Sequence, residues 1–405
     1  MVGAGIVNTE LLEKDVGKLI STKTPFSPEE VGYDGNRLKV LNQHFEKMLE
    51  KKEIQGAAYS LAIDGKVFTN TALGKFSYKE TDDRPLKPDT IYRVFSITKL
   101  FCAVAIIQLA EDGKLRLDQT VGEFLEEFKA PPFNKINIAQ LLTHTSGLAA
   151  DPGCFENKYY KAPWDFIEHI KDTKDANWIE AGLSAVMRTE PGKEWAYCSF
   201  GYVILGEIIE RVTGVFSHDY IMENIVKPCE MDDTSFEPDL NKAERYILHF
   251  PRFEKYLNSL LAGEKKDNGI WSKVPATWNG MYSTTADLIK FGTMLLNKGT
   301  FNGKRIIGRK AVEKMTSVYT TPDVMDYCWN SGGVYHRFGL GPDMKYNLGT
   351  LYSPETFFHE GYGTCCLTID PAEKLVAVWF APFVGDNWYA HAINNVSAII
   401  WSGLK

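Results

Sequence analysis

The run Ser96-Ile97-Thr98-Lys99-Leu100-Phe101-Cys102-Ala103-Val104-Ala105-Ile106-Ile107-Gln108-Leu109-Ala110-Glu111, closed by Asp112-Gly113, is apolar on nearly every side beyond its first turn. That pattern predicts a buried helix over 96–111, ended by the Asp-Gly turn. Ser96 at its start reads as an N-cap, and Ser96 and Lys99, three residues apart, share one helix face. An ammonium group in such a helix is costly without a partner or a role. Partly desolvated by neighbours such as Phe101 and Val104, the amine sheds its proton more readily and can take one from a nearby hydroxyl. The alternative is a structural lysine whose stem lies on apolar surface while its head reaches water. The spacing alone does not decide between them, because Ser402 and Lys405 repeat it by accident at the last residue.

Outward from this helix the pattern divides in two. On the N-terminal side, a helix is expected over 36–52, followed by short strands over 57–63 and 67–73 around Asp64-Gly65, a hairpin signal. On the C-terminal side helical segments dominate to about residue 325, among them 199–212, stopped by Thr213-Gly214, and 285–296, stopped near Gly299. Strands return over 338–340, 364–369 and 375–380, the last two joined by Asp370-Pro371-Ala372-Glu373, and a helix over 390–404 ends the chain. Strands at both ends with helices between them predict an α+β fold: one antiparallel sheet drawn from both termini, flanked by helices, with an inserted helical subdomain. The charged, glycine-containing segment 255–277 reads as a flap.

Composition narrows the function classes. The 405 residues are 44% hydrophobic and 24% charged with a net charge of −7, ordinary globular material without the basic stripe that nucleic acid requires. No apolar run is long enough for a membrane span, and the first residues lack the pattern of a signal peptide. The seven cysteines are dispersed and odd in number, which suggests free thiols and a cytoplasmic address. Histidine and cysteine spacings offer no metal site, there is no glycine-rich phosphate or dinucleotide loop, and no G-x-S-x-G elbow is present. No cofactor is implied.

Two other stretches carry chemistry-bearing residues. In Glu190-Pro191-Gly192-Lys193-Glu194-Trp195-Ala196-Tyr197-Cys198-Ser199, a Pro-Gly turn leads to Tyr197 just before a helix start, where the helix dipole favours a phenolate. In Phe357-Phe358-His359-Glu360-Gly361-Tyr362-Gly363-Thr364, His359 and Gly361 precede a strand, and glycine lets a ligand approach the strand edge. Each has a plain structural reading too, Tyr197 as a core aromatic and His359 as a strand-end residue. Cys198 reads as a small buried thiol rather than a nucleophile.

Taken in order, Ser-x-x-Lys, Tyr-x-Ser and His-x-Gly resemble the serine β-lactamase and penicillin-binding-protein superfamily. The resemblance is to its class C β-lactamase-like branch, with family VIII esterases, D-amino-acid peptidases and related acyltransferases. Leu141–Leu148, Phe200–Glu210 and Gly280–Leu288 match that branch as well. The resemblance implies an N-terminal arm over 1–35 and a catalytic domain over 36–405, with an α/β lobe (36–95 and 330–405) and a mainly helical lobe (96–329). It implies Ser96 as acylated nucleophile, Lys99 and Tyr197 sharing acid–base duty, and His359 steadying the substrate or its leaving group. Ser199, Gly361 and Tyr362 would line the substrate, with the backbone N–H groups of Ser96 and Tyr362 as oxyanion hole. His144 matches a family position but reads as a loop fixture.

The departures point away from β-lactam hydrolysis. Ser199 replaces the asparagine found in many members, and no Lys-Ser-Gly or Lys-Thr-Gly heads the third motif. A Tyr-Leu-Asn at 256–258 lies in the flap-like segment, far from the second helix start. The expectation is an esterase-type serine hydrolase acting on a small ester, amide or peptide, with activity rising through neutral into mildly alkaline pH. Alternatives are a D-amino-acid peptidase or acyltransferase of the same mechanism, and a non-catalytic ligand-binding or self-assembling scaffold.

Overall fold

The computed structural model describes residues 19–155, 161–173, 175–264, 269–344, 349–362, 365–383 and 394–405. The main sheet takes its strands from both ends of the chain. They are β1 (Ile20–Ser21), β2 (Gly56–Ile63), β3 (Lys66–Gly74) and, after a long helical stretch, Phe357–Gly361, Cys365–Asp370 and Leu375–Phe380. Short strands that lie between include β4 (Tyr92–Arg93), β5 (Glu194–Trp195), β6 (Tyr282–Ser283), β7 (Met325–Asp326) and β8 (Val334–Tyr335). The late sheet strands are therefore β9, β10 and β11. Sheet order is β1-β3-β2-β11-β10-β9, antiparallel throughout, and Trp379 opposite Tyr59 fixes the register that joins the two ends of the chain. This is the expected α+β architecture.

Both faces of the sheet are covered, which explains why β10 and β11 are buried along their whole length rather than alternately. Helices α1 (Asn36–Glu50) and α6 (Asn394–Trp401) pack Leu41, Phe45, Val396 and Ile400 against one face with Tyr59 and Trp379. On the other face α5 (Thr285–Leu296) approaches closely at Gly292, where a Cβ would come within 2.5 Å of Val376. Beyond α5 lies α2 (Thr98–Glu111), buried from Thr98 to Leu109 as its all-round apolar sequence demands, with Phe101 stacked on Phe291 at 3.9 Å. Helix α3 (Ser199–Thr213) flanks it and ends at Gly214, whose φ of 71° closes the helix.

Several expectations change. The α-helix begins at Thr98, and Ser96 sits in a preceding 3-10 turn, Phe95–Ile97, so its hydroxyl is not an N-cap. Segment 338–340 is not a strand: Gly341, at φ 116°, and Pro342 fold the chain back so that Gly339 N–H donates to the Pro342 carbonyl. His359 and Gly361 lie inside strand β9, at the edge of the sheet, rather than before a strand. Lys255–Leu261 of the flap-like segment belongs to α4 (Pro251–Leu261), an amphipathic helix that buries Leu257; residues 265–268 lie outside the described residues. So do Thr364, at the start of the expected strand 364–369, and 390–393, at the start of the expected last helix. From the arm, β1 pairs Ile20 with Ala72, and Tyr33 is buried with its hydroxyl on the Ile400 carbonyl. All seven cysteines are buried, and no disulfide joins them. Among the described residues no helix is long and apolar enough to cross a membrane.

Candidate active site

The backbone entering α2 is held from outside. Val94 N–H donates to the Met281 carbonyl, and Met281 N–H to Thr98 Oγ1, so the Gly280–Leu288 stretch fixes the turn that carries Ser96. Phe95 takes φ 46°, a left-handed conformation unusual for a bulky residue and one that stores of order 1–3 kcal/mol of strain. It aims the half-buried Ser96 back over the first turn of α2. Lys99 Nζ donates to Ser96 Oγ at 3.1 Å and to the Trp278 carbonyl at 3.0 Å.

Lys99 is fully buried among the rings of Tyr197, Tyr202 and Trp278, at 4.8, 5.6 and 5.9 Å. Burial lowers its pKa to about 8, against the opposing pull of Asp151 and two thiols. The amine is thus neutral in a usable fraction near neutral pH, within reach of a hydroxyl proton. The snorkelling reading of Lys99 is excluded by this placement.

Tyr197 stands on the second wall, two residues before α3. Contrary to the dipole argument its phenol is held protonated: burial pushes its pKa well up, Asp151 pushes the same way, and a hydrogen bond with the Ser96 side chain pulls back. A helix N-terminus here is outweighed by desolvation and a nearby carboxylate. His144 packs beneath it, ring centroids 4.4 Å apart. His144 Nδ1 accepts the Cys198 N–H at 3.0 Å and its carbonyl accepts the Ala196 N–H at 2.9 Å, so the Leu141–Leu148 loop braces the Tyr197 segment on both sides.

Ser199 is buried rather than exposed to the mouth. Its N–H and hydroxyl both donate to the Asp151 carboxylate, at 2.7 and 2.5 Å. In the sequence Asp151 shows only as the start of an Asp-Pro-Gly turn, a signal for a loop and not for a site residue. Its proton affinity is raised by burial and lowered by Lys99. Tyr256 of the second Tyr-x-Asn bonds Glu237, at 2.8 Å, and stands on α4.

The third wall is β9. Gly361 has no room for a side chain, since a Cβ would lie 2.4 Å from the Val94 carbonyl oxygen, and this close approach sets the strand edge beside the Ser96 turn. Tyr362 follows, 78% exposed, its ring 6.0 Å from Phe95. His359 is buried, 6.5 Å from the Tyr197 ring centroid to centroid. Its Nδ1 lies 2.7 Å from the Glu360 carbonyl, which can only accept, so the proton sits on Nδ1 and Nε2 is a bare acceptor. Burial and Lys99 lower the His359 pKa to about 4, leaving the ring neutral. Ser96, Lys99, Tyr197 and His359 therefore converge, whereas Ser199 is turned to Asp151.

Comparison with known proteins bears on the family and the fold. The sequence model of the family described as beta-lactamase matches residues 41–395. The chain is 25% identical over 391 residues to the "Putative D-alanyl-D-alanine carboxypeptidase" of Escherichia coli (strain K12), covering 88% of this chain and 84% of the relative. A family VIII carboxylesterase of known structure superposes with a TM-score of 0.69 at 21% identity, over 92% of this chain and 99% of that one. Simvastatin synthase from Aspergillus terreus does so with a TM-score of 0.70 at 19% identity, over 90% of this chain and 98% of that one. At these identities the two solved structures bear on the fold, which is β-lactamase/transpeptidase-like.

Proposed function

Since the chain belongs to the beta-lactamase family, a family of serine hydrolases, we propose that it hydrolyses an ester or amide through an acyl-enzyme on Ser96, and that esters are its best substrates. The observation that carries this reading is the buried Lys99 amine 3.1 Å from the Ser96 hydroxyl. Neutral Lys99 takes the Ser96 proton as Oγ attacks the carbonyl carbon. The carbonyl oxygen gathers negative charge, and the N–H groups of Ser96 and Tyr362 are the donors assigned to it. Tyr197, a protonated phenol hydrogen-bonded with Ser96, passes a proton to the departing alcohol or amine and recovers it through Lys99. Water then enters by the reverse path and releases the acid. His359 steadies the substrate or leaving group.

The charge around the site supports an ester over a peptide ending in a free carboxylate. The third motif offers a neutral imidazole rather than an ammonium, and Asp151 adds negative charge near Lys99. A peptidase reading of the same mechanism is favoured by the name of the Escherichia coli relative. Intact-protein mass after a fluorophosphonate tests the nucleophile: one adduct is expected, absent in Ser96→Ala. An adduct that persists in Ser96→Ala refutes the assignment. Short p-nitrophenyl esters against D-aminoacyl anilides then separate esterase from peptidase.

A further inference from the structure

Beside the site lies a buried ionic cluster that the reaction scheme does not use. The His336 ring is 5% exposed, with Nδ1 2.9 Å from Asp326 Oδ2 and Nε2 2.9 Å from Asp343 Oδ2. Ionised carboxylates only accept hydrogen bonds, so a ring bonded to two of them carries protons on both nitrogens and is an imidazolium. Each partner belongs to a different wall. Asp326 ends β7, which pairs in parallel with β5, placing it opposite Trp195, two residues before Tyr197. The imidazolium also stacks on Trp195 at 3.9 Å. Asp343 exchanges both backbone hydrogen bonds with Phe358 on β9, the residue before His359, each at 2.9 Å. Asp326 further accepts the Cys328 N–H at 2.7 Å, in the turn whose Trp329 ring lies 5.8 Å from Tyr197.

We propose that Asp326, His336 and Asp343 form a charged clamp that sets the Tyr197 wall against the His359 wall, making His336 a positioning residue for the reaction whose double protonation keeps the site assembled. The inference rests on the hydrolase reading above. Deprotonated, the ring carries no counter-charge for either carboxylate, donates to only one and turns a bare nitrogen to the other, so the strand pair through Trp195 and the bridge at Phe358 lose their common anchor.

The groups facing the ring define when this happens. Asp326 comes from β7 and Asp343 from the segment bridged to β9. Trp195 and Phe338 are its aromatic neighbours, and His144 is a neutral neighbour whose own proton affinity His336 depresses. Burial works against the charge, yet the two carboxylates outweigh it and raise the His336 pKa to about 9. With the folded value above the ordinary one of about 6.5, the clamp's contribution is complete below about 6.5 and is lost as pH rises through about 9. Activity should then be bell-shaped, rising as Lys99 loses its proton near 8 and falling as the clamp loses its own near 9.

The test is the pH profile of kcat for ester hydrolysis by the full chain, wild type against Asp343→Asn. Asparagine keeps the size of the side chain and its acceptor but removes one counter-charge. The alkaline limb should move to lower pH by at least about one unit, with the rising limb in place. Asp343 also faces His359, but that ring titrates near 4, far from either limb. An unmoved alkaline limb, even with lowered Tm, overturns the clamp and leaves a structural ion cluster. Should Asp343→Asn not fold, histidine-selective 15N NMR of the wild type decides: one imidazole doubly protonated at pH 8 is expected, and none overturns the proposal. Turnover that survives Ser96→Ala defeats the hydrolase reading instead, so the two failures are told apart.

Discussion

The nucleophile side of the site and the proton-donor side are built by different means. Ser96 and Lys99 stand one turn apart on the same stretch of backbone, and their hydroxyl and amine meet at 3.1 Å through the geometry of a single helix start. Tyr197 and His359 are 162 positions apart in the chain, and one link between their walls runs from β5 to β7, from β7 to His336, and from His336 to the segment bridged to the edge of the main sheet. The first arrangement is local and apolar: a lysine driven into a helix core whose neighbours withhold solvent from it. The second is long-range and ionic, with charges paired across three segments. A local site is hard to disturb without touching its own residues. An assembled one is open to loss by changes several side chains away.

The largest expected effect tests the local side. Ser96→Ala should lower ester turnover by at least about 10⁴-fold, as loss of a nucleophile does in other serine hydrolases, while changing stability by less than about 1 kcal/mol, since Ser96 makes no cap. Turnover and thermal unfolding measured together check both halves. A variant that lost its fold along with its activity would make Ser96 structural and blur the contrast. Lys99→Met should come close to the same loss in rate while leaving the fold intact, because the substitution removes a buried charge and keeps the apolar stem.

Tyr197→Phe comes next. Removing a general acid while keeping the ring that packs on His144 should cost about 10²–10⁴-fold in kcat, with KM changed little. If KM rose instead and kcat held, the phenol would be binding substrate rather than moving protons. His144→Ala should reach the same side indirectly. It removes the ring under Tyr197 and the acceptor of the Cys198 N–H, so kcat should fall by roughly tenfold, one hydrogen bond's worth of about 1.4 kcal/mol. A normal rate in His144→Ala would show that the second wall holds itself without the loop beneath it.

The same division decides what was legible in the sequence. Helix α5 falls over the expected 285–296 and β11 over the expected 375–380, because their apolar patterns are local signals. The Ser96–Lys99 contact was legible for the same reason. The left-handed Phe95 that turns Ser96 away from an N-cap leaves no mark, since nothing about phenylalanine announces positive φ. Asp151, His336, Asp326 and Asp343 gain their meaning only from partners distant in the chain, and isolated charged residues in loops read as surface. The segment 338–340 fails differently: in Phe338-Gly339-Leu340-Gly341-Pro342 the two glycines and the proline signal a turn that outweighs the short apolar pattern.

Asp151 gives the smallest and sharpest prediction, because it lies between the two sides. Its carboxylate holds both donors of Ser199 at the start of α3 and acts on Lys99 across the site, where it opposes the desolvation that lowers the amine's pKa to about 8. In Asp151→Asn that opposition is gone, so Lys99 should lose its proton at a still lower pH. The rising limb of the kcat profile should move toward acid by less than about one unit, with the plateau rate reduced no more than a few-fold. An amide keeps one acceptor for Ser199, so the helix start should persist. A shift toward alkali would mean that Asp151 does not act on Lys99 through its charge, and the two sides would then be electrostatically independent. A shift toward acid makes the loop that carries Asp151 the link through which the assembled side tunes the local one.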